Sequence, residues 1–205
     1  MGRLIVTEFM TLDGVAQAPG GPDEDPSGTF THGGWQAPFI DGGSGRVMYE
    51  QARSMDALLL GRRTYEMFAS YWPNAAQEMP FTRLLNSVPK YVASHSLSEP
   101  LAWQPATLLA EDLAESIPEL TRRHDEVQVI GSLDLVQSLL RHGLVDQLNL
   151  WIYPLVLGSG KRVFAEGTVP ATLRLRESLV YPSGIIHAVY DPAGAPSYGT
   201  IGADE

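Results

Sequence analysis

Three segments of this chain run an apolar, strand-like stretch straight into residues suited to holding an anion. The first is Leu60-Gly61-Arg62-Arg63-Thr64-Tyr65. Gly61 lets a ligand approach the backbone, and Arg62, Arg63 and Thr64 fall at the start of the helix expected next. There two guanidinium groups, a hydroxyl and the unpaired N–H groups of a helix N-terminus can receive a phosphate. The second is Ala93-Ser94-His95-Ser96, with two hydroxyls and an imidazole at a strand end, a set that suits a terminal phosphate. The third is Val129-Ile130-Gly131-Ser132, which opens another helix and can turn backbone N–H groups toward a pyrophosphate. It is not a G-x-G-x-x-G fingerprint, because Leu133 and Asp134 follow. Each segment has a plainer reading: a turn with solvated arginines, a polar turn, and Ser132 as an ordinary N-cap.

The elements that would carry these segments are legible from periodicity. Arg3 to Met10 reads as a strand ending at the turn Thr11-Leu12-Asp13-Gly14. Residues 18 to 45 are dense in Gly, Pro, Asp and Ser, with Trp35 and Phe39 set among them, and read as either a functional loop or a disordered insertion. A helix is expected over 46–55, a buried strand over 56–61, a helix over 62–71, a loop marked by Pro73 and Pro80, and a strand over 90–94. A helix over Glu111 to His124 and a strand over 126–130 follow. Leu135, Val136, Leu139 and Leu140 form the apolar stripe of a helix over 133–142 that stops at Gly143. Val145 to Val156 reads as a long strand, with Leu148, Leu150 and Ile152 on one face and Asn149, Trp151 and Tyr153 on the other. Strands over 172–181 and 185–190 flank the turn Pro182-Ser183-Gly184. Strand and helix alternate and then give way to consecutive strands. That order predicts an α/β fold whose mostly parallel sheet has helices on both faces and an antiparallel C-terminal hairpin. One domain is expected over 1–191, with a frayed tail over 192–205.

Composition narrows the function classes. The chain has 205 residues, no cysteine and a formal net charge of −10. The missing cysteines exclude disulfides, thiol nucleophiles and cysteine zinc sites, and they suit a reducing cytoplasm. The negative charge argues against nucleic acid as a partner. No secretory or membrane-spanning pattern is present, so a membrane role is not expected. The five histidines, His32, His95, His124, His142 and His187, lack metal-ligand spacing, so no metal is expected.

Four ordered words now carry a resemblance. They are Thr11-Leu12-Asp13-Gly14, the run from Asp56 through Gly61-Arg62-Arg63-Thr64-Tyr65 to Glu66, Lys90-Tyr91-Val92-Ala93-Ser94, and the stretch from Val129-Ile130-Gly131-Ser132 through Gly143-Leu144-Val145-Asp146 to Pro154 and Phe164. In these the chain resembles the dihydrofolate-reductase-like family that includes the C-terminal reductase domain of bacterial riboflavin-biosynthesis proteins. The resemblance implies NADPH, or NADH, lying across the sheet ends, with Gly61, Arg62, Thr64, Gly131 and Ser132 at its phosphates. It implies Ser94 and His95 near the 2′-phosphate, although many family members carry Arg where His95 stands. It places Leu12, Asp13 and Gly14 near the nicotinamide and Pro154 to Lys161 along or over the pocket. The zinc-deaminase signature of the bifunctional riboflavin proteins is absent here.

A reduction by hydride transfer needs orientation, a proton source and exclusion of water. Among the carboxylates, Glu50 beside Tyr49 is the expected donor, ahead of Asp13 and Asp41. Trp35 is expected on a loop over the substrate. Trp151 and Tyr153 are expected on the substrate side, at a dimer face, or in the core. The expectation is therefore an NADPH-dependent reductase of a small heterocycle, working as a homodimer. The rival is a dinucleotide- or ligand-binding module without turnover.

Overall fold

β1 (Arg3–Thr11) runs through the interior of an eight-stranded sheet, because its apolar side chains alternate to both faces and both must be covered. The other strands are β2 (Ala57–Gly61), β3 (Lys90–Ala93), β4 (Ala106–Leu108), β5 (Glu126–Ile130), β6 (Gln147–Tyr153), β7 (Leu173–Val180) and β8 (Ile186–Pro192). Their order is β4-β3-β2-β5-β1-β6-β8-β7. Neighbours from β4 to β6 are parallel, and β8 is antiparallel to both β6 and β7. The structure is a computed structural model that describes residues 1–109 and 112–202.

Five helices, α1 (Gly42–Ala52), α2 (Arg62–Tyr71), α3 (Pro80–Ser87), α4 (Leu113–Arg123) and α5 (Leu133–Arg141), are distributed over the two faces. Leu4 and Val6 of β1, Leu59, Val127, Val129, Leu148 and Leu150 pack beneath α4 and α5. The alternate residues Leu58, Leu60 and Val92 pack against α2 and α3. The expected α/β architecture is thus observed, including the hairpin at Gly184 (φ +84°), whose N–H donates to the carbonyl of Tyr181.

Several boundaries differ, each for a local reason. α1 begins at Gly42 rather than Arg46, because Asp41 builds a capping box. Its Oδ1 accepts from the Ser44 N–H at 2.7 Å, and Ser44 Oγ accepts from the Asp41 N–H at 3.1 Å. That cap starts a helix on two glycines of low helical propensity. α3 forms where a loop was expected: Pro80 occupies the first turn, which requires no N–H from it, and Leu85 is buried beneath. The segment 18–45 is not a detached insertion, since Ala18, Phe30 and Trp35 are buried with Val15, Trp151, Tyr153 and Ile185. The helix expected from Glu111 is observed from Leu113; Glu111 itself lies outside the described residues. Beyond β8, Ala193 and Gly194 are bonded to Thr172.

One feature of the register prepares the site. β5 ends at Ile130, which lies opposite Thr7, whereas β1 continues beside β6 as far as Thr11 opposite Tyr153. Above Thr7, β1 therefore has a strand on one side only.

Candidate active site

A cavity of about 1150 Å³ opens at the C-terminal ends of β2, β3 and β5 and extends into the gap between β1 and β5. Ligands of open α/β sheets bind in this position. Its volume exceeds the roughly 300–1,000 Å³ of ordinary small-molecule sites. All three anion-compatible segments line it: Gly61 to Thr64, Ser94 to Ser96, and Gly131 with Ser132.

The backbone there is shaped for close approach. Gly131 (φ +68°) and Ser132 (φ +71°) are successive left-handed residues, a conformation that costs a non-glycine residue about 1–2 kcal/mol. Ser132 does not cap its own helix. Its Oγ accepts the Gly61 N–H at 2.9 Å, which ties the turn before α5 to the turn before α2. Neither helix has a side-chain N-cap bond, so the first-turn N–H groups of both lack side-chain acceptors where Arg62, Arg63, Thr64, Leu133 and Asp134 meet the cavity. A side chain on Gly61 would come within 3.4 Å of Ser132 Cβ and would narrow the space between the two turns. Arg62 pairs with Glu66 at 3.1 Å, while Arg63 has no bonded partner among the described residues. Ser94 Oγ accepts the N–H groups of Ser96 and Leu97, which leaves its O–H able to donate.

The opposite wall is apolar and amide-rich. It comprises Thr7 and Phe9 of β1, Gln128 of β5, Trp151 of β6, and Met48, Tyr49, Gln51 and Ala52 of α1, while Glu8 lines the cavity from the other face of β1, that of Leu4 and Val6. The Gly131 N–H donates to the Thr7 carbonyl. By the alternation of a parallel ladder, the backbone groups of Phe9 therefore face the side that β5 leaves open. Trp151 is fully buried and stacks on His187 with ring centroids 4.3 Å apart. His187 Nε2 and Gln51 Nε2 are 3.1 Å apart, and burial holds the imidazole down at about 4. A neutral His187 accepting the Gln51 N–H follows from both observations.

Glu8 was not singled out from the sequence. It is 2% exposed, its Oε1 has no hydrogen-bond partner, and the carboxyl makes no ion pair among the described residues. Burial without a compensating cation pushes it up to about 8. The signal was present in the chain: Glu8 follows Leu4 and Val6 on the same period-two face, so a lone acid occupies a core position.

The expected proton donors lie elsewhere. Glu50 points away from the cavity, half-exposed, and pairs with Arg53 at 2.7 Å. It lies on the solvent face of α1, whereas its neighbour Tyr49 does line the cavity. Asp13 is a clamp outside the lining. It accepts from Thr11 Oγ1 at 2.5 Å and from the N–H groups of Leu157 and Gly158 at 3.2 and 2.8 Å. The Thr11 bond, with those backbone donors, holds it down at about 2, far too acidic to retain a proton. Gly14 (φ +81°) belongs to the same clamp, its carbonyl accepting the Val163 N–H. Asp41 is the cap of α1.

Three substrate-side expectations also change. Trp35 is buried beneath its loop, with Nε1 donating to the Gln17 carbonyl, and packs edge-on against Tyr153. Tyr153 is fully buried, accepts from Gln36 Nε2 at 2.7 Å, and is held well above the usual phenol range by burial. Pro154 lies against Gly184 at the hairpin. Trp35 and Tyr153 face the core under the loop, Pro154 is exposed, and of the tryptophans and tyrosines expected on the substrate side only Trp151 and Tyr49 reach the cavity. Among the described residues no cluster of His, Asp or Glu suits a metal, and no helix is long and apolar enough to cross a membrane.

Comparison with known proteins agrees with this architecture. Residues 3–187 match the model of the RibD C-terminal domain. The uncharacterized protein YyaP of Bacillus subtilis (strain 168) is 25% identical over 196 residues, covering 92% of this chain and 94% of YyaP. A crystal structure from Shewanella sp. PV-4, named for riboflavin biosynthesis, superposes with a TM-score of 0.66 at 22% identity, covering 93% of this chain and 99% of that one. A pyrimidine reductase-like protein of Corynebacterium diphtheriae gives 0.60 at 14% identity, covering 94% and 92%.

Proposed function

The chain belongs to the RibD C-terminal domain family, and from that premise we propose that it is an NADPH-dependent reductase of a small heterocyclic substrate, of the pyrimidine-reductase type. The observation that carries this reading is the convergence of three phosphate-compatible turns on one cavity that continues into the gap between β1 and β5.

The residues fit a dinucleotide. The two helix N-termini, the Arg63 guanidinium and the Ser94 hydroxyl supply donors for phosphate oxygens, and Gly61 and Gly131 keep the backbone within reach. When bound, the reduced nicotinamide supplies a hydride, two electrons with one proton. The protein's part is to orient both partners and to exclude water, and the apolar wall of Phe9, Met48, Ala52 and Trp151 serves both purposes. Gln51 and Gln128 offer amide donors and acceptors suited to the edge of a polar heterocycle.

Titrating NADPH and NADH against tryptophan fluorescence tests the cofactor. The double variant Arg63→Ala/Ser94→Ala is expected to weaken NADPH binding by roughly 10- to 100-fold, the range for losing one or two charge-assisted hydrogen bonds. NADH binding should change far less. Equal losses would remove the 2′-phosphate role, and no quenching by either nucleotide would remove the cofactor. Binding without NADPH oxidation by any acceptor would leave a binding module.

A further inference from the structure

We propose that Glu8 is the proton donor of this site, its side chain lining the cavity from the Leu4 and Val6 face of β1, one residue past the point where β5 ends. The inference rests on the reductase reading above and deepens it.

Elimination and position both lead to Glu8. The other acids on the cavity wall are already engaged or lie at the phosphate end. Glu24 Oε2 accepts the N–H groups of Gly20 and Gly21. Asp25 is paired with Lys161 at 2.5 Å and also accepts from Ser27. Glu66 is paired with Arg62 beside the turn before α2. Asp134 stands in the first turn of α5. Glu8 alone stands on β1, one residue past the point where β5 ends. Its carboxyl has no hydrogen-bond partner among the described residues, unlike a buried acid kept for structure, which is normally hydrogen-bonded. A buried orphan of this kind costs stability, which marks it as a functional candidate.

The surroundings decide its protonation. Arg63 lines the cavity from the first turn of α2 and His95 from the turn after β3, and Lys161, which also lines it, is paired with Asp25. His187, behind Trp151, is held neutral by burial. With no cation bonded to it, Glu8 keeps its proton at neutral pH, and burial raises it to about 8. A neutral carboxyl is an O–H donor, whereas a carboxylate only accepts. A hydride reaches the carbon of a C=N or C=O bond. The Glu8 O–H bond breaks toward the nitrogen or oxygen, forming N–H or O–H. A bound reduced nicotinamide would supply that hydride and be left oxidised, and a proton from bulk solvent returns the Glu8 carboxylate to its acid form.

Three measurements test this on the full chain. First, carbon NMR of protein labelled at the glutamate carboxyls, with the Glu8 signal assigned by its loss in Glu8→Gln, should give a midpoint near 8; a midpoint below about 5.5 overturns the proposal. Second, NADPH oxidation with folate, biopterin, an aminouracil imine or menadione is followed from pH 6 to 9. Glu8→Gln should lower kcat by about 10²–10⁴-fold, the usual worth of a general acid, and should remove the fall in rate above pH 8. Glu8→Asp should keep that fall. A Gln variant within threefold of the parent rate, or with the same alkaline limb, overturns the proposal. Third, tryptophan quenching by NADPH should be the same for parent and variant within about twofold. If the parent itself shows no quenching, the cofactor reading has failed; if it binds NADPH but oxidises it with no acceptor, the reductase reading has failed. Either result removes the reaction that Glu8 would serve, and neither is confused with a parent that turns over while Glu8→Gln does too.

Discussion

The buried carboxyl of Glu8 should make the protein less stable as pH rises through neutrality, and Glu8→Gln should abolish that dependence. The sign follows from linkage. In the folded chain the group titrates near 8, and in the unfolded chain near its ordinary 4.5. Between those values the folded state holds a proton that the unfolded state has released, so unfolding gains a favourable deprotonation. The contribution is fully present below 4.5 and is lost as pH climbs to 8. At 1.36 kcal/mol per unit of pH, the parent should lose about 3–4 kcal/mol between pH 5 and pH 8 relative to Glu8→Gln. Gln keeps the shape and never ionises, so every other titrating group cancels in the comparison. Urea unfolding of both proteins at pH 5, 6, 7 and 8, followed by far-ultraviolet circular dichroism, gives the difference directly. At pH 8 the variant should be the more stable protein by comparison with their relative stability at pH 5. A difference that stays constant within about 0.5 kcal/mol across the four pH values, the size of ordinary non-additivity, would show that Glu8 is ionised in the folded chain.

Two further outcomes bear on the frame around the site. Gly160→Ala should destabilise the fold by about 2–4 kcal/mol, read by denaturant midpoint. Its φ is +123°, and a Cβ would sit 2.7 Å from Val15 Cγ1 and 2.8 Å from Phe30 Cε2, inside the cluster beneath the loop. Asp13→Ala should speed amide exchange at Leu157 and Gly158 selectively, since both N–H groups lose their acceptor. Asp13→Asn should behave like the parent below pH 2, where the carboxyl is protonated, and unchanged protection in Asp13→Ala would remove the clamp.

The three strand ends were legible because each is a local pattern: an apolar run sets the strand, and a glycine or hydroxyl residue ends it. Their convergence was not local. It depends on β2, β3 and β5 being parallel neighbours, which the alternation of strand and helix implied. Glu50 was misjudged because the weak apolar periodicity of α1 does not say which face meets the sheet, and the face carrying Glu50 meets Arg53 and solvent. Trp35 was misjudged, and Tyr153 was left open between the substrate side, a dimer face and the core, because an exposed aromatic and a buried one have the same local sequence. Only the tertiary contact between them, with Gln36 bonded to the Tyr153 hydroxyl, separates the two cases.

The position of Glu8 on a strand has its own consequence. The residues of α1 that reach the cavity are Gly45, Met48, Tyr49, Gln51 and Ala52, and none is a carboxylic acid. The helix that covers the substrate side therefore contributes surface and hydrogen bonds but no acidic proton. A proton donor held instead by β1 is fixed on one side by β6 and left open on the other by the early end of β5. Its main chain cannot shift without disturbing the central ladder, so the point from which the side chain starts is settled by the fold before any ligand arrives. The same early end of β5 exposes the backbone of Phe9 and makes room for a flat ring. One shortened strand thus creates the space, the main-chain edge and the access to the acid together. Extending β5 by pairing beyond Ile130 would close all three.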